Sequence, residues 1–202
     1  MSENIFYELT PVQILNGYVN GIFPMGNAED DNKESITWFE ANPRAILPLN
    51  KDLNITRSLQ QVINKGSFKI QIDRRFEDVI EECSNRETSW INELIKGAYI
   101  ELHKLGYAHS VEAYFEGELV GGLYGVAVRG AFFGESMFYK KSNASKAAAV
   151  KLFEILKKNN FQLLDIQMMT PVYKSFGARH ISKAKYMDML EKALDMSCTF
   201  KM

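Results

Sequence analysis

Glu135 is an acidic residue within an apolar segment, AFFGESMF, where its neighbours include Phe132, Phe133 and Met137. An ionised carboxylate is seldom buried alone, because its removal from water costs several kcal/mol or more. The sequence therefore predicts that Glu135 has either a buried partner or a chemical task.

Two more polar residues, Asp165 and Gln167, stand in the apolar segment LLDIQMM. Because they are two residues apart, a strand places both side chains on one face, with Leu164 and Ile166 on the other. Polar side chains from two strands can converge at strand ends, as reaction centres often do. Isolated Asp or Gln residues in strands more often have a structural role, in which they bind the backbone N–H groups of a nearby loop. The residues alone indicate an α+β enzyme or binding domain with an acid in a hydrophobic pocket.

Several common kinds of site are absent from the sequence. The two cysteines and three histidines show no zinc-ligand spacing. The sequence contains no P-loop, no G-x-G-x-x-G motif after a strand and no G-x-S-x-G motif. We therefore expect neither a metal ion nor a cofactor.

The composition is that of a globular domain. With 202 residues and 46% hydrophobic content, the chain can form one good core with a small appended lobe. No apolar run approaches the ~20 residues of a membrane span, and the N-terminus does not resemble a signal peptide. Cys83 and Cys198 are far apart, which favours reduced thiols. We expect a cytoplasmic protein without membrane association, and the net charge of −1 argues against indiscriminate nucleic-acid binding.

Glu135 lies in the third of three predicted antiparallel strands within residues 110–138. The first strand alternates apolar and polar residues as far as a tight turn at 116–118. The second, 119–128, is almost entirely apolar or glycine, and a turn at 129–130 leads into the third, 131–138. Such runs are typical of strands covered on both faces.

Helices and two further strands are predicted around this core. The helices cover residues 11–20, 54–65, 76–83, from Thr88 or Ser89 to 105, from Ser142 or Asn143 to 156, 171–176 and 185–194, and the strands cover 68–72 and 163–168. Before residue 50 the pattern predicts a small lobe of one helix and short strands around a polar loop at 27–35. The predicted organisation is an α+β domain at 51–202 behind a lobe at 1–50.

Ordered strings over most of the chain carry a resemblance to a known family. These strings are GIFPMG, NPRAILPL, AHSVEAY, LVGGLYGVA, FFGESMF and LLDIQMMTPVYKSFGAR. Together they strongly resemble the leucyl/phenylalanyl-tRNA–protein transferase family from about Leu9 to Ser182. The resemblance implies an acyl-CoA N-acyltransferase-like (GNAT-like) C-terminal domain behind a small N-terminal α+β lobe. It also implies transfer of Leu or Phe, and less well Met, from aminoacyl-tRNA to proteins with N-terminal Arg or Lys, which marks them for N-end pathway degradation.

The resemblance assigns roles to individual residues. It implies that catalysis depends on Glu135, Asp165 and Gln167. The donor and its adenosine would be bound by Trp90, Leu123, Phe132, Met137 and Thr170. Regular spacing of the kind shown by Trp90, Phe132 and Met137 is more often typical of core positions. Our hypothesis is that Gln167 and Asp165 hold the acceptor α-amine, while Glu135 takes its charge or the basic side chain. The alternative makes Asp165 a general base through Gln167 or a water.

The expected contacts to tRNA are fewer than the family pattern implies. Members of the family usually carry a basic cluster on the second helix. This chain has Gln60, Gln61 and Asn64 there, and Arg57 and Lys65 are the basic residues that remain. Phosphate contacts could instead come from Arg74 and Arg75 or from Lys140 and Lys141. Each pair is equally consistent with ordinary solvated surface charge. The family implies a monomer.

Two other classes of function remain open. A CoA-dependent N-acetyltransferase of the same fold would need a glycine-rich phosphate cradle, but the corresponding segment, YKKSNASKAA, has no glycine. A non-catalytic tRNA- or peptide-binding module would fit the reduced basic helix. The presence of Glu135, Asp165 and Gln167 together argues against it.

Overall fold

The computed structural model describes residues 6–27, 34–85 and 89–202. Its elements in chain order are α1 (Pro11–Val19), β1 (Phe23–Gly26), β2 (Ile36–Phe39), β3 (Arg44–Ile46), α2 (Arg57–Asn64), β4 (Lys69–Ile72), α3 (Phe76–Ser84), α4 (Glu93–Lys104), β5 (Ala108–Phe115), β6 (Glu118–Val128), β7 (Ala131–Tyr139), α5 (Ala144–Lys158), β8 (Leu163–Asp165), α6 (Pro171–Phe176), β9 (Arg179–Ile181) and α7 (Lys183–Leu194). Helices and a large sheet are combined in the fold, which confirms the predicted α+β class.

The main sheet has the strand order β4-β5-β6-β7-β8-β3-β9 in the described part of the chain. Strands β5, β6 and β7 are consecutive and antiparallel, as the sequence predicted. The turn between β5 and β6 has φ angles of 51° at Glu116 and 90° at Gly117. Two successive positive φ angles match the right-handed twist of a two-residue hairpin, which explains the tight turn at this point.

Helices cover both faces of the sheet, which explains the nearly continuous apolar strands. One core cluster contains residues of α1, α3, α4 and α7, and a second contains residues of α2, α5 and α6. At Gly121 of β6, a Cβ atom would lie 2.6 Å from the Cβ of Ala144. Glycine therefore lets the start of α5 rest directly on the sheet. No helix among the described residues is both long and apolar enough to cross a bilayer.

The boundaries of several predicted elements differ from the structure. The helix predicted from Thr88 or Ser89 begins only at Glu93, where Asn92 caps it by accepting the Ile95 N–H at 3.1 Å. Trp90 lies before the helix because its carbonyl accepts the Gly26 N–H at 2.8 Å, which ties this segment to β1. The predicted strand 163–168 ends at Asp165, and the last helix begins at Lys183. Thr88 and most of the predicted loop 27–35 lie outside the described residues.

One strand from the first 50 residues, β3, belongs to the main sheet. Strand β3 lies between β8 and β9 and is antiparallel to both. Strands β1 and β2 form a separate two-stranded sheet. The division into a lobe at 1–50 and a domain at 51–202 stays a prediction, and β3 bridges the two parts.

Candidate active site

A cavity opens where β7 and β8 part. The two strands pair in parallel only from Ala131 to Phe133 on β7 and from Leu163 to Asp165 on β8. Beyond that point β7 continues to Tyr139, whereas β8 ends. The resulting cavity has a volume of about 700 Å³, within the usual range of small-molecule sites. Its wall is largely apolar, with contributions from Phe23, Met25, Trp90, Met137, Phe138, Ile166, Met168, Val172 and Tyr173.

Glu135 lies at a β-bulge next to this cavity. Tyr124 on β6 pairs with Ser136, but the next residue, Gly125, pairs with Gly134, so Glu135 is the extra residue. A bulge redirects side chains and is common beside active sites. The tight packing leaves no room for a side chain on Gly125, whose Cβ would lie 2.3 Å from the Phe133 carbonyl oxygen. The bulge lets Glu135 line the cavity from the middle of an apolar strand.

The Glu135 carboxylate has a partner on each oxygen. Gln167 donates from Nε2 to Oε1 at 3.1 Å, and the Tyr99 hydroxyl donates to Oε2 at 3.1 Å. The Tyr18 hydroxyl lies 2.5 Å from that of Tyr99. Glu135 and Gln167, which the sequence analysis expected to converge, are therefore in direct contact.

Burial raises the pKa of Glu135 to about 7. The hydroxyls of Tyr18 and Tyr99 oppose this effect, the charge of Asp165 adds to it, and the charge of Arg44 opposes it. Both protonation states of Glu135 are therefore well populated at neutral pH, which suits a group that accepts and returns a proton.

Glu135 is expected to make the fold less stable as the pH rises. Its pKa is 4.5 in an unperturbed chain and about 7 in the fold, so its favourable contribution is complete below pH 4.5 and is lost as the pH rises through 7. Between pH 5 and pH 8 this loss amounts to roughly 2–3 kcal/mol. Urea unfolding would measure the free energy of unfolding of both proteins at pH 5 and at pH 8. The decrease between the two pH values should be smaller in Glu135→Gln than in the wild type by this amount. Equal losses would show that the carboxyl is not perturbed.

Gln167 is held by its backbone in an unusual conformation. Its φ angle is 50°, which is rare for a residue other than glycine. The Gln167 N–H donates to Asp165 Oδ1 at 2.9 Å, and its carbonyl accepts the Ala45 N–H at 3.0 Å. Because the side-chain nitrogen faces Glu135, the side-chain oxygen of Gln167 is available to accept hydrogen bonds from a substrate.

Asp165 accepts a hydrogen bond from the backbone of Gln167 and does not line the cavity. It is fully buried, and its two oxygens accept bonds from Arg44 Nε and Nη2, from the Tyr186 hydroxyl and from the Gln167 N–H. With these acceptor positions occupied, Asp165 has no free lone pair for a substrate amine. The direct contact between Asp165 and the amine that was expected is not supported by this geometry, in which Asp165 contacts the backbone of Gln167 instead.

Arg44 is the principal residue that the sequence analysis missed. It is 1% exposed, lies between the rings of Phe23 and Tyr186, and donates from Nη1 to the Gly21 carbonyl at 2.9 Å. Its contact with Asp165 is bidentate, with a shortest distance of 2.7 Å. An arginine that opens the apolar run RAIL was the available signal.

The substrate-binding residues expected from the sequence fall into two groups. Trp90, Met137 and Thr170 line the cavity, and Thr170 also caps α6. Leu123 and Phe132 are instead 1% and 0% exposed within the second core cluster. Phe132 pairs with Leu164 where β7 and β8 are still joined, and Leu123 lies one strand farther away on β6. Leu123 pairs with the cavity residue Met137, but neither Leu123 nor Phe132 lines the cavity itself, so the structure does not support their expected place in the pocket.

Among the basic residues considered for tRNA binding, Lys140 lines the cavity, whereas Arg57, Lys65, Arg74 and Arg75 do not. Arg74 and Arg75 follow the edge strand β4, and their backbone N–H groups donate to the buried Glu112 carboxylate at 2.9 and 2.8 Å. Arg57 begins α2 and Lys65 ends it. Lys140 lines the cavity itself.

Across residues 6–27, 34–85 and 89–202, no group of three or more His, Cys, Asp or Glu residues could hold a metal ion.

Comparison with known proteins shows the family. A sequence model described as leucyl/phenylalanyl-tRNA protein transferase matches residues 46–191. The leucyl/phenylalanyl-tRNA–protein transferase of Herpetosiphon aurantiacus is 45% identical over 95% of this chain and 98% of its own length. The protein of that name from Salinibacter ruber is 45% identical over 94% of this chain and 82% of its own length.

Solved structures are more distant. L-PGS from Bacillus licheniformis matches 95% of this chain and 73% of its own chain at 12% identity and a TM-score of 0.46, which is too low to support an inference. The sequence relatives are decisive, and they confirm the family that the sequence motifs predicted. The chain belongs to the leucyl/phenylalanyl-tRNA–protein transferase family.

Proposed function

We propose that the cavity between β7 and β8 is the site where an aminoacyl group passes from tRNA to the α-amino group of a protein. The observation that supports this most directly is the contact between Glu135 and Gln167 at the edge of a largely apolar cavity of about 700 Å³. The apolar wall suits the donor's side chain, and the polar pair suits an incoming amine. The name of the family describes the same reaction class.

The proposed donors are Leu-tRNA and Phe-tRNA, with Met-tRNA used less well, and the proposed acceptors are proteins that begin with Arg or Lys. A flexible apolar wall that includes Met25, Met137 and Met168 fits side chains of different shape. One methylene in such a pocket discriminates by only ~1–3 kcal/mol, so several apolar donors would be tolerated. We propose that the protein acts as a cytoplasmic monomer in the N-end degradation pathway.

The chemistry needs little activation because an aminoacyl ester is already reactive. The acceptor nitrogen bonds to the ester carbonyl carbon, the bond from that carbon to the ribose oxygen breaks, and the amine loses one proton. Ionised Glu135 takes this proton and returns it to the departing ribose oxygen, while the side-chain oxygen of Gln167 orients the amine. Positioning alone can supply roughly 7–11 kcal/mol of the barrier.

The 3′ end of the tRNA is proposed to enter beside Lys140 and the start of α5. Lys140 and Ser145 both line the cavity, and Ser145 lies in the first turn of this 15-residue helix. The N-terminus of a helix and a lysine both favour phosphate groups. Trp90 offers a ring at the same cavity for the terminal adenosine. Arg57, Lys65, Arg74 and Arg75 are proposed to contact the acceptor arm farther away.

The phosphate contact at Lys140 leads to a prediction about salt dependence. Each neutralised phosphate of a single-stranded segment contributes about 0.7 to the slope of log affinity against log salt concentration. Lys140→Ala should therefore weaken tRNA binding at low salt and reduce the slope by about this amount. Lys192→Ala removes an exposed lysine of α7 that is paired with Asp188, and it is the matched control. Filter binding over a range of KCl concentrations would measure both variants. An unchanged slope for Lys140→Ala would exclude the contact.

A GNAT-like fold for the C-terminal domain is proposed with this function, but CoA is a less suitable donor. The segment between β7 and α5 contains no glycine, and Asn143, the residue before α5, has a φ angle of 68° and makes no side-chain cap. A pyrophosphate cradle needs closely approaching backbone N–H groups, which glycine usually provides.

The function is tested by offering labelled donors to a peptide that begins with Arg. Labelled Phe-tRNA, Leu-tRNA and acetyl-CoA are each incubated with the protein and the peptide, and the label on the peptide is followed by mass spectrometry. We expect phenylalanyl and leucyl products and no acetyl product. Acetylation would favour the CoA-dependent enzyme, whereas tRNA binding without any product would favour a non-catalytic module. A peptide with an acetylated N-terminus is the matched control and should accept no label.

A further inference from the structure

Two tyrosine hydroxyls form a chain that ends on Glu135. Tyr18 on α1 and Tyr99 on α4 are both 0% exposed. The Tyr99 hydroxyl reaches Glu135 Oε2 at 3.1 Å, and the Tyr18 hydroxyl lies 2.5 Å from Tyr99. Neither tyrosine lines the cavity, so neither would touch a bound substrate.

The direction of this chain follows from the number of protons. The single hydroxyl proton of Tyr99 points to Glu135 when the carboxyl is ionised, so Tyr18 must donate to the oxygen of Tyr99. A hydroxyl that accepts one hydrogen bond becomes a stronger donor in the next. Burial, followed by the charge of Glu135, raises the pKa of both tyrosines well above the ordinary value. Both therefore stay protonated as donors throughout the neutral range.

We propose that the Tyr18–Tyr99 hydroxyl chain is a positioning device that keeps Glu135 acidic enough to lose its proton at neutral pH. Hydrogen bonds to the ionised form of a carboxyl stabilise that form, and here they oppose the effect of burial. This inference rests on the proposed function, because Glu135 must be ionised before it can accept the proton of the attacking amine. The effect of the tyrosines on proton affinity can be measured separately from transfer.

Apart from the Gln167 amide, which donates to Oε1, the groups around Glu135 leave the tyrosine pair as the main source of this stabilisation. The titratable or charged side chains that face it from the packed elements are Tyr18, Tyr99, Arg44, Asp165 and Tyr173. Arg44 and Asp165 form an ion pair, so their effects on Glu135 largely cancel. Burial holds the pKa of Tyr173 above its ordinary value, so it remains neutral. At the cavity rim, Glu82 and Lys140 are paired with each other.

The test is the pH dependence of single-turnover transfer between about pH 5.5 and pH 8.5. Tyr99→Phe should move the midpoint of the acid limb upward by about one pH unit, because a hydrogen bond to a charged group is lost. At pH 7 transfer should then be about 5-fold slower, and the rate should recover at the highest pH. Tyr18→Phe should shift the midpoint in the same direction by about half as much.

Tyr114→Phe is the matched control for loss of a buried tyrosine hydroxyl. Tyr114 donates to a different carboxylate, Glu112 Oε2, at 2.6 Å. This variant should show a comparable loss of stability but no shift in the pH midpoint. If Tyr99→Phe does not fold, Tyr18→Phe carries the test, because it leaves the direct bond from Tyr99 to Glu135 in place.

Titration of the Glu135 carboxyl by ¹³C NMR, with Glu135→Gln used for assignment, provides a readout independent of activity. An upward shift of this carboxyl pKa in Tyr99→Phe or Tyr18→Phe would support the inference. An unchanged carboxyl pKa in both variants would overturn it. A shifted carboxyl with an unshifted rate profile would uphold the tyrosine chain and reject Glu135 as the proton acceptor of the proposed function.

Discussion

Glu135→Gln is expected to lower the single-turnover rate of aminoacyl transfer by roughly 10²–10⁴-fold, the usual contribution of a positioned acid or base. The substitution preserves the shape of the side chain and the contact with Gln167, but its amide cannot take the proton of the acceptor amine. Binding of aminoacyl-tRNA should change by less than about 3-fold, because the apolar wall is intact. Rapid-quench measurement with labelled Phe-tRNA and a peptide that begins with Arg would give the rate.

Glu191→Gln is the matched control for this prediction. Glu191 lies on the exposed face of α7, away from the cavity. The Glu191→Gln variant loses the same charge as Glu135→Gln and should transfer at the wild-type rate. A Glu135→Gln protein that transfers at more than about a tenth of the wild-type rate at pH 7 would remove Glu135 from the chemistry, since general catalysis contributes at least ~10²-fold.

Arg44→Met is expected to destabilise the protein by roughly 3–5 kcal/mol, the largest stability effect that we predict. The substitution leaves the fully buried Asp165 as an uncompensated charge, whereas the paired carboxylate is matched by a bidentate guanidinium. For a chain of this length the melting temperature should fall by roughly 10 °C or more. Thermal and urea unfolding at pH 7 would measure both quantities.

A double-mutant cycle separates the ion pair from general disruption of the core. Arg44→Met combined with Asp165→Leu removes both charges, so the double variant should recover roughly 0.5–3 kcal/mol relative to the sum of the single losses. Lys192→Met breaks an exposed ion pair with Asp188 and should cost less than about 1 kcal/mol. A loss below about 1 kcal/mol in Arg44→Met would show that Asp165 does not depend on this arginine.

The alternation of residues along single strands was enough to predict part of the site. The strands β5 to β7 follow from local patterns, because apolar runs and turn residues determine them directly. The proximity of Glu135 to Gln167 depends on the pairing of β7 with β8, and it was the family resemblance that placed both residues in one site. The bulge at Glu135 is different, since it reverses the alternation, and Phe133 and Phe138 consequently lie in the same core cluster. A prediction that assumes strict alternation of side chains along a strand cannot detect such a reversal.

Contacts between distant parts of the chain were the features that the sequence did not reveal. Arg44 meets Asp165 only because β3 pairs with β8, and nothing local indicates that pairing. Tyr18 and Tyr99 lie on two of the predicted helices, but their hydroxyls approach Glu135 only through the packing of α1 and α4 on β7. An inward tyrosine usually finds a partner for its hydroxyl, which was the one available signal.

The central claim is that the cavity between β7 and β8 receives the aminoacyl end of the tRNA, and a crystal structure with a bound analogue tests it most directly. The probe is a 3′-amide analogue of phenylalanyl-adenosine, in which an amide replaces the reactive ester. We predict that the phenyl ring contacts Met137 and that the carbonyl carbon lies within about 4 Å of Gln167 or Glu135, close to reacting distance for an amine held there. An analogue bound outside the cavity, or with its carbonyl turned away from both residues, would contradict the account.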